Sequence, residues 1–144
     1  MNNSPYSLYT LNQIASASRE DIMLQLMEGA LSRVRYARTL WSEGQKGEAR
    51  KRRIQALDII NYLDETLDRD SGGEIVDQME ALYAYMQRVL NNIAITEDFG
   101  QLESVESIME TLYAGWKDAV TEYKKNKSLS GQADRDHRAA QISA

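Results

Sequence analysis

The chain has no cysteine, one histidine, one proline and one phenylalanine in 144 residues. Without cysteine there is no disulfide framework and no thiolate, which fits a reducing compartment. One histidine cannot furnish the paired Glu-x-x-His motifs of a di-metal bundle, nor a zinc site. That residue, His137, stands among Asp134, Arg135, Asp136 and Arg138 and reads as solvated. The lone proline, Pro5, and the lack of strand-like β-branched runs argue for an all-α protein. No stretch approaches the ~20 apolar residues needed to cross a bilayer. The start, Met1-Asn2-Asn3-Ser4-Pro5, has no basic segment leading into an apolar run. Neither membrane insertion nor a secretory signal is therefore expected.

Other chemistries lack their residues too. No glycine-rich loop joins a strand to a helix, and Gly72-Gly73 reads as a helix stop rather than a phosphate cradle. The carboxylate pairs Asp64/Asp68 and Glu103/Glu106 fall on faces expected to meet water, which leaves acid–base catalysis without a site. The expectation is no enzyme, no metal and no cofactor. With a formal net charge of −5, a nucleic-acid binder needs a locally basic face. The one basic run is Arg50-Lys51-Arg52-Arg53. No aromatic interleaves it and Glu48 and Asp58 flank it, so it reads as a solvated helix face. The alternative is an adaptor that binds an acidic partner or RNA through Arg50 to Arg53.

What the chain does have is a three–four apolar rhythm. It runs Ile75, Met79, Leu82, Met86, Val89, Ile93, then Leu102, Val105, Met109, Leu112, Trp116, Ala119, Tyr123. Such steps put each set on one stripe of a helix. Ser18, with Asp21 three residues on, marks the start of a first helix that runs to Ser42 or Glu43, where Gly44 supplies a stop. Gly47 and Glu48 open a second helix. Ser71 and Glu74 form a capping box for the third, which fades near Thr96. Asp98-Phe99-Gly100 marks the last turn before a fourth helix ending near Tyr123. The spacing predicts an antiparallel up-down four-helix bundle over 18–125. An N-terminal arm covers 1–17 and a disordered tail 126–144.

Helical-wheel positions separate core from surface. Ile60, Leu63, Leu82, Met86, Met109, Leu112 and Trp116 are assigned to the core. The first helix spreads its apolar residues over roughly 200° of the wheel, with Leu24 and Leu31 on one rim. On the second, Ile59 and Tyr62 point away from the stripe and Ile54 lies nearly opposite. Tyr85 and Ile95 leave the stripe of the third. The surplus on helices one and two needs a cover: the arm, another subunit, or a foreign helix in a groove. A central position in the bundle is the plainer explanation of a wide arc. A self-associating structural bundle is a further alternative.

The order of these segments resembles the flagellar secretion chaperone FliS family. Pro5-Tyr6-Ser7-Leu8-Tyr9, then Ser16-Ala17-Ser18, is similar to the family's tyrosine arm and helix start. Leu24 to Leu31 is similar to its Leu-x-Leu-aromatic-acidic-Gly-Ala stretch, with Met27 where an aromatic is common. Ala56 to Ile60 with Leu63 and Leu67, Gly72 to Ile75 with Leu82 to Met86, and Asp98, Leu102, Glu103, Val105, Glu106 and Trp116 complete the likeness. Arg19 replaces the family's usual proline, and one extra residue disturbs the correspondence over 91–97. The resemblance implies a cytoplasmic export chaperone that binds the C-terminal segment of flagellin, blocks premature polymerisation and helps deliver it to the export gate protein FlhA. It implies no nucleic acid, and a monomer or weak homodimer is expected. The client-binding residues expected on this basis are Tyr6, Leu8, Tyr9 and Ile14 of the arm, and Leu24, Met27, Leu31, Ile59, Tyr62 and Tyr85 of the bundle.

Overall fold

The computed structural model describes residues 18–143, with side chains to residue 140. It contains α1 (Arg19–Ser42), α2 (Lys46–Glu65), α3 (Glu74–Thr96), a 3₁₀ turn (Phe99–Gln101) and α4 (Leu102–Ser143). No strand occurs among the described residues.

Each junction has a local cause. The Ser18 hydroxyl accepts from the Asp21 backbone N–H at 3.2 Å and donates to the Asp21 carboxylate at 2.9 Å. Glu20 and Asp21 sit in the first turn, where the helix dipole favours negative charge. The far end of α1 closes as a Schellman motif. Gln45 N–H donates to Leu40 C=O at 2.9 Å, Gly44 N–H donates to Trp41 C=O at 3.1 Å, and Gly44 supplies φ +81°. The expected Ser71/Glu74 capping box does not form. Gly73 holds the cap position of α3 with φ +99°, and Ser71 turns back to the Asp68 carboxylate instead. Arg69 pins this loop, reaching Asp64 at 2.6 Å and Glu80 at 3.3 Å.

The helices form a ring. α1 packs on α2 and α4, α2 packs on α3, and α3 touches α4 only sparsely. The α1–α2 pair is the closest. Ala30 and Ala37 on α1 and Ala49 and Ala56 on α2 are all buried, and small side chains let helix axes approach. Glu106 ties α4 to α1 through Arg35 at 3.1 Å and through Arg38. Lys124 ties α4 to the α1 start through Asp21 at 2.7 Å.

Two expectations need correction. The core stripe of α3 is Tyr83, Met86, Leu90 and Ile93, turned by roughly 40° toward α2 from the expected one. Leu82 is therefore half-buried and Ile75 is 73% exposed. Leu112 and Trp116 pack on the core from its margin rather than within it. Beyond residue 125, α4 runs on past the packed part of the bundle as far as Ser143. This extension has no proline, one interior glycine (Gly131), and side-chain bonds within the helix from Gln132 to Asp136 and from Arg135 to Gln132. Residues 126–140 are exposed apart from the half-buried Gly131. Helix propensity alone, without packing, supports a helix weakly in water.

Candidate functional site

The two ends of the bundle differ. At one end Phe99 is buried and stacks on Trp41, with Lys46 and Arg50 covering the indole at 5.1 and 5.7 Å. That end is closed. The other end is open. There, a cavity of about 390 Å³ lies between the start of α1, the end of α2, the start of α3 and Trp116 of α4. Met23, Leu63, Leu67, Ile75, Val76, Met79, Tyr83 and Trp116 make its lining mainly apolar, with Arg19, Glu20 and Asp68 among the polar residues around it. Two features keep it from collapsing. Gly72 and Gly73, both at positive φ, take the chain out of α2 before α3 begins, and α3 turns its stripe away from α4. Met23 and Met79 give the lining pliable side chains.

Tyr83 carries the clearest electrostatic signature in the cavity. It is fully buried, and its hydroxyl has no hydrogen-bond partner among the described residues. Burial, with the charge of Asp64, pushes its pKa up to about 12. It is a neutral buried hydroxyl, and leaving such a group unpaired costs about 1–3 kcal/mol.

A second opening, about 450 Å³, runs along the α3–α4 seam between Tyr85 and Val89 on one side and Glu103, Ser104 and Ser107 on the other. Ile75 lines the end cavity and stands on the α3 edge that also carries Leu82 and Val89. The two openings share no lining residue, and Leu82 stands between them on that edge.

The expected site residues do not converge. Tyr6, Leu8, Tyr9 and Ile14 lie outside the described residues. Met27 is fully buried and Leu31 is 5% exposed, so both are corrected from surface to core. Leu31 lies beside Tyr113 of α4, and Leu24 is half-buried. Ile59 is half-buried, close against α1. A Cβ on Gly29 would stand 3.6 Å from the Ile59 Cδ1. Tyr62 is 50% exposed on α2, and Tyr85 lines the α3–α4 opening. Sequence reasoning missed Met23, Leu67, Val76 and Met79 as a cavity lining.

The basic run is taken up by the fold. Arg50 pairs with Glu97 at 2.7 Å. Arg53 is buried and donates to the Leu90 carbonyl at 3.0 Å, and its burial lowers its pKa. Arg52 lies over the Tyr36 ring at 5.3 Å and donates to Gln55 at 2.9 Å. Only Lys51 of the four lacks such a use among the described residues. This argues against an adaptor working through Arg50 to Arg53. Among the described residues no cluster of histidine and carboxylate groups fits a metal ion, and no helix is long and apolar enough to cross a membrane.

The arrangement is that of a surface for holding apolar side chains. Residues 1–123 match the family model described as flagellar protein FliS. The chain is 30% identical over 128 residues to the flagellar secretion chaperone FliS of Bacillus subtilis, covering 89% of this chain and 95% of that one. It is 34% identical over 107 residues to its counterpart in Salmonella typhimurium, covering 72% and 78% respectively. With the Escherichia coli counterpart the identity is 31% over 109 residues, covering 74% and 79%. The chain belongs to the FliS family of flagellar secretion chaperones, and so to a family of chaperones rather than enzymes.

Proposed function

We propose that this protein is a cytoplasmic chaperone that binds the C-terminal segment of flagellin, prevents its premature polymerisation and assists its delivery to the export gate protein FlhA. The observation that carries the reading is the end cavity lined by Met23, Leu67, Ile75 and Met79, with the α3–α4 opening farther along the same helix. An unfolded segment with periodic apolar side chains gains by placing them there and becoming helical, in the helix-in-groove manner. Such coupled folding spends part of the contact energy on ordering the guest, which keeps the complex reversible. Reversible holding is what export requires, and it uses neither nucleotide nor metal.

Within this reading Tyr85 retains its place as a contact, joined by Met23, Leu67, Ile75 and Met79. Ile59, Tyr62 and Leu24 are secondary. Tyr6, Leu8, Tyr9 and Ile14 act on the same surface, by competition or by direct support, since Arg19, Glu20 and Met23 of the α1 start line the cavity. Calorimetric titration of the full chain with the C-terminal segment of the same bacterium's flagellin tests the proposal. Binding by wild type and a loss of about tenfold or more in Met79→Asp are expected, a charged group in an apolar pocket being costly. No binding by the wild-type chain refutes the proposal.

A further inference from the structure

The two sides of the α3–α4 seam are unlike. α3 offers large apolar side chains: Ile75 is 73% and Tyr85 39% exposed, with Leu82 and Val89 half-buried on the same edge. α4 offers mostly small ones, beside the half-buried Ile108. Ser104 and Ser107 face Tyr85 and Val89 across the opening, and steps of four carry this face on through Thr111 to Gly115. Gly115 stands inside α4 with nothing within 4 Å of where a Cβ would be. Glycine there costs about 1 kcal/mol of helix stability against alanine, and no packing within the bundle requires it.

The flanks of the seam are acidic. Glu103 lines the opening near one end. By helical register, Glu74 stands just before Ile75 on α3, and Asp118 and Glu122 carry on the Ser107–Thr111–Gly115 face of α4. All four carboxylates are exposed, and none is in an ion pair among the described residues. Arg88, over the Tyr85 ring at 6.0 Å, is the cation on this edge.

We infer that the α3–α4 groove seats a client helix with a narrow apolar stripe flanked by lysine or arginine. The inference rests on the client-binding reading above and adds the chemistry of the bound segment. The guest's apolar stripe covers Ile75, Leu82 and Val89. Its backbone lies close to α4 because serine, threonine and glycine leave room. Its cations meet the unpaired carboxylates. Exposed ion pairs add little affinity each, so these carboxylates act mainly on selection and on the rate of encounter.

The test uses the full chain and two helical peptides with one leucine–alanine stripe, one lysine-flanked and one glutamate-flanked, followed by fluorescence anisotropy. At low salt the lysine-flanked peptide binds about tenfold tighter or more, and salt erodes the preference. The triple variant Glu103→Gln/Asp118→Asn/Glu122→Gln reduces that preference about threefold or more. Gly115→Leu weakens both peptides about tenfold while its urea midpoint stays at or above wild type, leucine being the better helix former. Equal affinity for the two peptides, or unchanged binding in Gly115→Leu, overturns the inference. Flagellin-segment binding undiminished in both variants also overturns it, yet leaves the chaperone reading standing. Binding of the lysine-flanked peptide without any binding of the flagellin segment supports the groove and refutes that identity of the client.

Discussion

Trp41 and Phe99 stack face to face, with ring centroids 4.1 Å apart and planes 9° from parallel. The pair joins the last turn of α1 to the 3₁₀ turn that leads into α4, so two distant parts of the chain close one end of the bundle together. Phe99 is 3% exposed and is the only phenylalanine of the chain. Phe99→Ala is expected to cost about 3–5 kcal/mol, the usual range for truncating a buried aromatic. Urea denaturation measures it. A cost below about 1 kcal/mol, the level of an unimportant surface contact, contradicts the role given to the stack.

Tyr83 supplies a prediction of opposite sign. Its ring fills core volume, while its hydroxyl has no hydrogen-bond partner among the described residues. Tyr83→Phe keeps the ring and removes the unpaired group. The variant should match wild type or gain up to about 1 kcal/mol in urea unfolding. A marked loss of stability would mean that the hydroxyl is paired after all.

Much of the fold was legible in the sequence because helix ends are set by local chemistry. Ser18 and Asp21 cap α1 and Gly44 ends it, as their residue types dictate, whereas α3 ends on Glu97 at φ +57°, which its residue type does not signal. The rotation of α3 was not legible. Both the Ile75-Met79-Leu82 stripe and the Tyr83-Met86-Leu90 stripe satisfy a three–four rhythm, and only packing against α2 selects the second. The burial of Met27 and Leu31 was not legible for the same reason. A wide apolar arc on α1 identifies a helix with two neighbours, and Met27 and Leu31 fill the space between them. The free apolar edge belongs to α3. The basic run misled less, because Arg53 and Arg50 find partners on α3 and just past its end that no linear pattern reveals.

That relocation can be tested on stability. Met27→Asp and Leu31→Asp each place an unpaired carboxylate in the core and should destabilise by about 3–5 kcal/mol or prevent folding. Tyr62→Asp, on the exposed face of α2, should stay within about 0.5 kcal/mol of wild type. Thermal unfolding followed by circular dichroism separates them. Native stability in Leu31→Asp would return Leu31 to the surface.

Glu106 makes stability depend on pH. Partial burial raises its pKa, but hydrogen bonds from Arg35 and Arg38 outweigh this and hold it below the ordinary glutamate value. A carboxyl depressed on folding contributes stability that is fully present above its unfolded pKa, about 4.3. That stability is lost as pH falls through the lower folded value. Wild type should therefore lose more stability than Glu106→Gln between about pH 5 and pH 3. Urea midpoints across that window check the sign. Parallel curves for the two proteins would show that the α1–α4 tie adds nothing.

The central claim is that the open end and the α3–α4 edge, rather than the α1–α2 face, receive the client. Hydrogen–deuterium exchange of the full chain, with and without a flagellin C-terminal segment, reads this directly. Added protection is predicted over 75–89 on α3, over 104–116 on α4 and at the start of α1 near Met23. Protection confined to the α1–α2 face around Tyr36, Ile59 and Tyr62, with α3 and α4 unchanged, would contradict the account.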